Sequence, residues 1–426
     1  MKIQIPYGKA ELTHTFRKEG IHLDKAGAPK IPPINLQEEL LQGFHNPIGG
    51  EPLSSILEKA EDVVVVFSDR TRKYPVKEII DELVREFVKA GISDQRVTLV
   101  CGGGAHAGNT LEHCCSIAGK EYVARFKTVI HDARDMDICM HAGTTSYGTE
   151  VFINRTVAEA SCIICTGVIV PHYYAGFSGG RKAILPGTAA EETIVQNHSL
   201  NFYDTKKGRN WNAVTCNLEN NPVHMDMVEG ARMCSPDFIV NVTMDFDGYT
   251  PTGVFCGDME KAHEKGCAFY LEHYKQSLSA TYDMVIAGAG GYPKDGSLYQ
   301  AHKAVDNVFK ALSPDGVLIM AAECREGLGK EDFLKWLKAD DLDAVEKKLR
   351  ESYCIEGHTA YCFRRKSGSA CIHLVSELDP DTVRQIGCIP FQTIEEAVDA
   401  GLSLLQKNGI TDPSILFVPE GDQFVI

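Results

Sequence analysis

The chain has 426 residues, 44% apolar and 24% charged, enough to fill a large core, and its length predicts two or three domains. A formal charge of −15, with no lysine–arginine cluster interleaved with aromatics, excludes a nucleic-acid surface but not an anionic small molecule, because a pocket can be locally basic in an acidic protein. No signal peptide and no apolar run approaching about 18 residues are visible, so a soluble, cytoplasmic protein away from membranes is expected, its fifteen cysteines free thiols.

KIQIPYG and ELTHTF, between Met1 and Phe16, predict an opening hairpin. An irregular stretch follows, marked by Gly27, Pro29, Pro32 and Pro33 and then by Asn46, Pro47 and Gly49. Leu53 to Lys59 reads as a short helix, Val63 to Phe67 as a buried strand, and Val76 to Lys89 as a helix with apolar residues at helical spacing. Val97 to Val100 is the next strand, and it runs into CGGGAHAGNT. Such strand–loop–helix alternation predicts a parallel sheet. Phe126 to Ile130, Asp137 to His141 and Val151 to Asn154 are further candidate strands.

The run Cys162 to Val170 has the length and β-branched character of a buried strand. Polar chemistry begins at its end with Pro171 and His172, a glycine-rich turn through Gly176, Gly179 and Gly180, and then Arg181 and Lys182. Thr188 with Glu191 predicts a capping box for a helix carrying Ile194, Val195 and His198. A helix over NPVHMDMVEGAR, a strand from Phe238 to Met244, turns at Asp245, Asp247, Gly248 and Gly253, and a helix from Asp258 to Gln276 complete this part. MVIAGAG then opens a second α/β unit, with a long helix up to Leu312, a strand at GVLIMAA, and helices from Asp332 to Trp336, Asp341 to Arg350 and Ile394 to Leu404. The expected fold is α/β, two domains with mostly parallel sheets flanked by helices: an N-terminal domain over 1–275 and a C-terminal domain over 282–426, with the active site in the cleft between them.

Ligands of open parallel sheets bind beyond the carboxyl ends of the strands. Four polar clusters follow strands here: Asp69, Thr71 and Arg72; His106; His172 and Lys182; and Lys294, Gln300 and Lys303. Cations and imidazoles together suit a carboxylate or phosphate ligand, and two histidines at strand ends make a candidate acid–base pair near neutral pH. Cys162 and Cys165 form a CxxC, but inside an apolar strand with no second pair, which is the pattern of core packing. The glycines Gly102 to Gly104 match neither GxGxxG nor GxxxxGK[ST], and HExxH and GxSxG are missing.

The combination of DRTR from Asp69 to Arg72, GAHAGNT around His106, HYYAGFSGGRKAILPG from His172, the Asn197–His198 pair and LYQAHK ending at Lys303 resembles the lactate racemase family, the nickel-pincer enzymes. The likeness spans nearly the whole chain. It implies a pyridinium-derived mononucleotide whose thioamide and thiocarboxylate form a pincer on nickel (pyridinium-3-thioamide-5-thiocarboxylic acid mononucleotide), made by accessory cofactor-synthesis proteins and attached covalently to a lysine. Carried over by motif, Lys182 is the attachment site, His198 the protein ligand of nickel, and His106 and His172 the two catalytic bases. Arg72 and Lys303, with Gln300 nearby, are implied to hold the substrate carboxylate, while Asp69, Thr71 and Arg181 are implied to orient Arg72 or contact the cofactor. The implied reaction is racemisation or epimerisation at C2 of a 2-hydroxy acid by proton-coupled hydride transfer.

Where the family's lactate-specific members are expected to carry a tryptophan, this chain has His358 within YCIEGHTAY. Together with Tyr292 and Lys294 this predicts a substrate larger or more polar than lactate, such as a dicarboxylate or sugar acid, with lactate itself the alternative. An NAD-type hydroxyacid dehydrogenase and a non-catalytic anion- or cofactor-binding protein are the rival readings. The missing GxGxxG disfavours the first, and the presence of two candidate bases disfavours the second.

Overall fold

The computed structural model describes residues 2–16, 22–26, 31–106, 108–202, 206–246, 248–278, 280–339, 341–422 and 424–425. Gly27, Pro29 and Asp247 lie outside the described residues. Two compact units are present: one comprises Lys30–Thr205 and Asn210–His273, the other Met1–Pro29, Lys206–Arg209 and Tyr274–Ile426. The opening 29 residues group with residues 274–426, whereas an N-terminal domain over 1–275 was expected. The reason is pairing. His22–Lys25 adds a parallel strand beside Ser414–Val418, and Ile3, Ile5 and Phe16 of the opening hairpin share a core with Ile286, Ile319 and Phe417.

The first unit is built on a six-stranded sheet in the order Pro251–Gly257, Phe238–Met244, Ile163–Val168, Val63–Ser68, Val97–Gly102, Lys127–Ile130. All neighbours are parallel except the edge strand Pro251–Gly257, which runs antiparallel and occupies sequence that reads as glycine-rich turns. Val63 through Phe67 are all at most 2% exposed, because helices cover both faces of a parallel sheet. The helix Val76–Lys89 lays Ile79, Ile80, Leu83 and Phe87 into that core. The candidate strands around residues 139 and 151 do form, but as a separate antiparallel hairpin, Cys139–Thr144 with Glu150–Asn154. All fifteen cysteines are free, and Cys162 and Cys165 are core residues.

The second unit carries a six-stranded parallel sheet in the order Ile389–Phe391, Cys371–Val375, Leu312–Ala321, Tyr282–Gly288, Ser414–Val418, His22–Lys25. The stretch with His358 is a well-formed helix, Ile355–Ser367, which the sequence pattern does not reveal because its buried side includes His358, Thr359 and Ser367. Among the described residues no helix is long and apolar enough to cross a membrane.

Phe238 is fully buried and meets Phe44 edge-on, ring centroids 6.2 Å apart. Phe238→Ala is expected to lower unfolding free energy by about 3–5 kcal/mol in chemical denaturation, and a loss under about 1 kcal/mol would contradict this packing.

Candidate functional site

Strand order places the site of the first unit. From Val63–Ser68 the chain moves outward through Val97–Gly102 to Lys127–Ile130, then returns to the other side of Val63–Ser68 with Ile163–Val168 and moves outward again to Phe238–Met244. The direction reverses between Val63–Ser68 and Ile163–Val168, and such a switch point opens a crevice at the carboxyl ends of the strands. The crevice is a pocket whose wall includes Asp69, Thr71, Arg72, His106 and Lys182, with Gly102, Gly103 and Gly104 on one side and Thr166 and Gly167 at its base.

Asp69 is buried while His106 is half exposed, and His106 Nδ1 lies 3.0 Å from Asp69 Oδ2. Thr71 donates from both its hydroxyl (2.5 Å) and its backbone N–H (3.1 Å) to Asp69 Oδ1. Burial pushes the Asp69 carboxyl up, but the bonds from His106 and Thr71 outweigh it and bring the group to about 2. An ionised Asp69 accepts from His106 Nδ1–H, which leaves Nε2 as the basic nitrogen. The Asp69 side chain thus serves His106, a partnership across 37 residues that no local motif announces. Arg72 feels the Asp69 charge as well, though burial is the larger influence and lowers it.

The glycine-rich turn brings in the second group. Ser178 Oγ accepts from Val170 N–H and donates to Val168 O at 2.6 Å, folding the turn back onto the strand end. Gly179 has φ 78°, and a Cβ there would stand 2.4 Å from Asn241 Oδ1, which already accepts from Gly180 N–H at 2.7 Å. Only glycine fits. The two adjoining cations then part. Arg181, 1% exposed, turns away from the pocket to donate to Ala175 O at 2.7 Å and to approach His263 Nε2 at 3.0 Å. Burial takes it down to about 10. It does not line the pocket in which a cofactor contact was expected. Lys182 does, with Nζ 3.1 Å from His172 Nε2. Burial, then the charges of Arg181 and Arg72, drive Lys182 well below the usual lysine range. Burial, then the charges of Lys182, Arg72, His198 and Arg181, drive His172 well below the usual imidazole range.

Tyr174, absent from the sequence reading, links the remaining imidazole, its ring 4.8 Å from that of His172 and 4.9 Å from that of His198. The helix Glu191–Ser199 that carries His198 starts at Ala190 with no side-chain cap, so the predicted Thr188 capping box does not form. Thr188 instead bonds back to Ile184 O, and Glu191 lies inside the helix. His198 is 4% exposed, and its Nδ1 lies 2.9 Å from Asn197 Oδ1.

Among the described residues no three His, Cys, Asp or Glu side chains converge on a metal position. A metal that draws most of its donors from an organic group needs only one protein ligand, and His198, with Nδ1 engaged, has the lone-pair geometry for that. A partly buried lysine whose burial and cationic neighbours favour the uncharged amine is a nucleophile suited to a covalent bond. The residues present therefore fit a lysine-linked group carrying a nitrogen-liganded metal.

In the other unit, Gln300 and Lys303 lie on the helix Leu298–Val308, where Lys303 Nζ donates to Gln300 Oε1 at 2.8 Å. Lys294 pairs with Asp422 at 3.0 Å, a carboxylate that sequence reading missed because it sits 128 residues away in the C-terminal loop. His358 is fully buried, with Cys362 Sγ 3.5 Å from its Nε2. Its expected role in enlarging a substrate pocket conflicts with that burial. Burial and the charges of Arg209 and Lys366 lower it to about 3. Tyr292 is half exposed, with Lys9 Nζ 5.4 Å from its ring centre.

Residues 7–210 match the family described as lactate racemase N-terminal domain, and residues 278–426 match lactate racemase C-terminal domain. The lactate racemase of Thermoanaerobacterium thermosaccharolyticum is 33% identical over 435 residues, covering 100% of this chain and 99% of the relative. The chain belongs to the lactate racemase family. A second member, the lactate racemase of Lactiplantibacillus plantarum, is 33% identical over 405 residues, covering 93% of this chain and 94% of the relative. The solved lactate racemase apoprotein from T. thermosaccharolyticum superposes with TM-score 0.88 at 31% identity, over 100% of this chain and 99% of that one. A Thermotoga maritima protein shares the fold at TM-score 0.64 and 16% identity, covering 93% and 99%. The two-domain α/β expectation and the family resemblance therefore both hold.

Lys182 yields a test on the protein without cofactor. Because its amine is neutral at lower pH than an ordinary lysine, a small acylating reagent at pH 8 should modify Lys182 faster than solvent-exposed lysines such as Lys59. Peptide mapping by mass spectrometry reads the outcome. A Lys182 that reacts only above the usual lysine range would contradict the burial described.

Proposed function

We propose that this chain is an isomerase that racemises or epimerises a 2-hydroxy acid at C2, using a nickel-pincer nucleotide carried by Lys182 and ligated through His198. The observation that carries the reading is one switch-point crevice lined by His106, Arg72 and Lys182, with His172 Nε2 3.1 Å from Lys182 Nζ. When bound, the nucleotide supplies the hydride acceptor and donor that no side chain provides. The chain's own groups do the rest. Arg72 offers a planar fork to the C1 carboxylate. His106 Nε2 takes the C2 hydroxyl proton, and the imidazolium so formed is stabilised by Asp69 through Nδ1–H. His172, neutral through burial and surrounding cations, is the second base, and an incoming carboxylate offsets the positive charges that depress it. A base for each stereochemical face is what inversion in both directions requires. Lys303 and Gln300 are proposed as further carboxylate contacts on family resemblance alone, and cofactor-synthesis proteins as the partners that load the chain.

On the substrate's substituent, two of the three residues expected to favour a large polar group are otherwise occupied: Lys294 by Asp422, and His358 by the core. This supports a compact 2-hydroxy acid such as lactate over a dicarboxylate or sugar acid. The deciding experiment uses enzyme from a cofactor-competent host, with enantiopure lactate, malate, 2-hydroxyglutarate and an aldonate followed by chiral chromatography. Interconversion of at least one is expected, with lactate the best. Loss of stereochemical purity in none of a broader 2-hydroxy acid panel, with nickel bound, would overturn the reaction. In the same assay His106→Ala and His172→Ala should each lose about 100-fold or more, the range for a positioned acid–base group. A variant that retains near-full rate in both directions removes that histidine from the mechanism.

A further inference from the structure

Beside the helix that carries His198 lies a chain of buried polar bonds with no apparent part in holding the sheet. Asn197 is fully buried, and its amide nitrogen donates to Val223 O at 3.0 Å and to Asp226 Oδ2 at 2.8 Å. Both partners are acceptors, so the amide can stand only one way round, with Oδ1 toward His198 Nδ1 at 2.9 Å. An amide oxygen can only accept. Nδ1 must therefore carry the hydrogen, and the lone pair of neutral His198 sits on Nε2.

Asp226 is also fully buried and is itself held, accepting from the hydroxyls of Thr145 and Thr149, the latter at 3.0 Å. Those threonines come from the tip of the Cys139–Thr144/Glu150–Asn154 hairpin, so a separate two-stranded sheet, the helix Pro222–Arg232 and the helix Glu191–Ser199 are joined through one carboxylate. A fold needing only stability has little use for a buried carboxylate in place of an apolar contact of the same volume, since burying charge is costly unless every bond is made. Here the bonds are made, and besides joining these elements they fix the amide that faces one ring.

We propose that Asn197, backed by Asp226 and the two threonines, is a positioning residue that locks His198 in the Nδ1–H tautomer, leaving Nε2 ready to bind metal. The metal half of this statement rests on the reading of His198 as the nickel ligand; the tautomer half rests on the hydrogen bonds alone. Partners of this kind fix ring orientation, and losing them typically costs about 10- to 100-fold in metal affinity.

Two measurements test it. In the cofactor-free chain labelled with 15N-histidine, with the His198 signal assigned by its loss in His198→Gln, wild type should show the proton on Nδ1. Asn197→Ala should move it to Nε2 or produce exchange between the two. Thr149→Val, which keeps the volume and leaves Asn197 in place, should shift the signal less but in the same direction, and it carries the test should Asn197→Ala not fold. In the loaded chain, Asn197→Ala should lose nickel to a chelator about 10- to 100-fold faster than wild type. A wild-type signal with the proton on Nε2 overturns the proposal, as does an Asn197→Ala chain with both the wild-type tautomer and wild-type nickel retention. Should His198→Gln hold nickel as tightly as wild type, the nickel-ligand reading fails while the tautomer result stands on its own.

Discussion

Positive charge withdrawn from water governs the first unit. Arg72, Arg181 and Lys182 are gathered around His172, and burial is the largest influence on the protonation of all four. Each ion so placed would cost several kcal/mol if nothing answered it. The chain answers each differently. Arg181 donates from its two terminal nitrogens to the backbone carbonyls of Gly179 and Ala175, while its buried Nε has no partner among the described residues. Burial of Lys182 favours its uncharged amine, which rests against His172. Arg72 is left with the field of Asp69, whose carboxylate is already bonded to His106 and Thr71. What remains in the pocket is the Arg72 guanidinium with the Asp69 carboxylate, in a protein whose formal charge is −15.

The same constraint explains which parts of the site were legible in sequence. Val63 to Phe67 is an unbroken apolar run and Cys162 to Val170 a largely apolar one interrupted by Thr166 and Gly167, and such runs become central parallel strands because both faces are covered. Once those strands are placed, Asp69, Arg72, His106 and His172 follow, since each stands within a few residues of a strand's carboxyl end, while Lys182 comes later, after the glycine-rich turn. Partnerships were not legible. Asp69 with His106, Lys294 with Asp422, and Arg181 with His263 all join residues far apart in the chain. Direction was not legible either: Arg181 and Lys182 are neighbours in sequence, and only the turn geometry around Gly179 sends one into the pocket and the other behind it. The failed Thr188 capping box is the reverse case, a local pattern overruled because Thr188 is used to close the preceding turn.

In the second unit the sequence misled for a different reason. His358 looks like a polar side chain available to a ligand, and its helix looks irregular because small and polar residues face inward. Inside, it shares a buried ionic neighbourhood in which Asp306 pairs with Arg209 at 3.4 Å and with Lys366. Two cations around one carboxylate leave a net positive surrounding, which adds to burial in keeping His358 neutral. A histidine held neutral and enclosed fills volume and makes a contact to Cys362, and it brings no charge to a substrate.

Arg209 belongs to a four-residue segment, Lys206–Arg209, that is part of the second unit while its sequence neighbours on both sides belong to the first. Within that unit the segment is anchored at several points. Lys207 meets Asp343 at 2.7 Å, Gly208 N–H donates to Glu346 at 2.7 Å, and Arg350 donates to Lys206 O at 2.6 Å. Exposed pairs such as Lys207 with Asp343 add little, but the buried Arg209–Asp306 pair cannot be broken cheaply, because removing one partner strands the other charge. The segment leaves the first unit only a few residues after His198 and rejoins it where Asn210 N–H donates to Asn201 O. The helix that presents His198 is held at its side by the Asn197–Asp226 bonds. The same Asn197 amide donates to Asp226 and accepts from His198 Nδ1, so the helix and the ring it carries are restrained through one side chain.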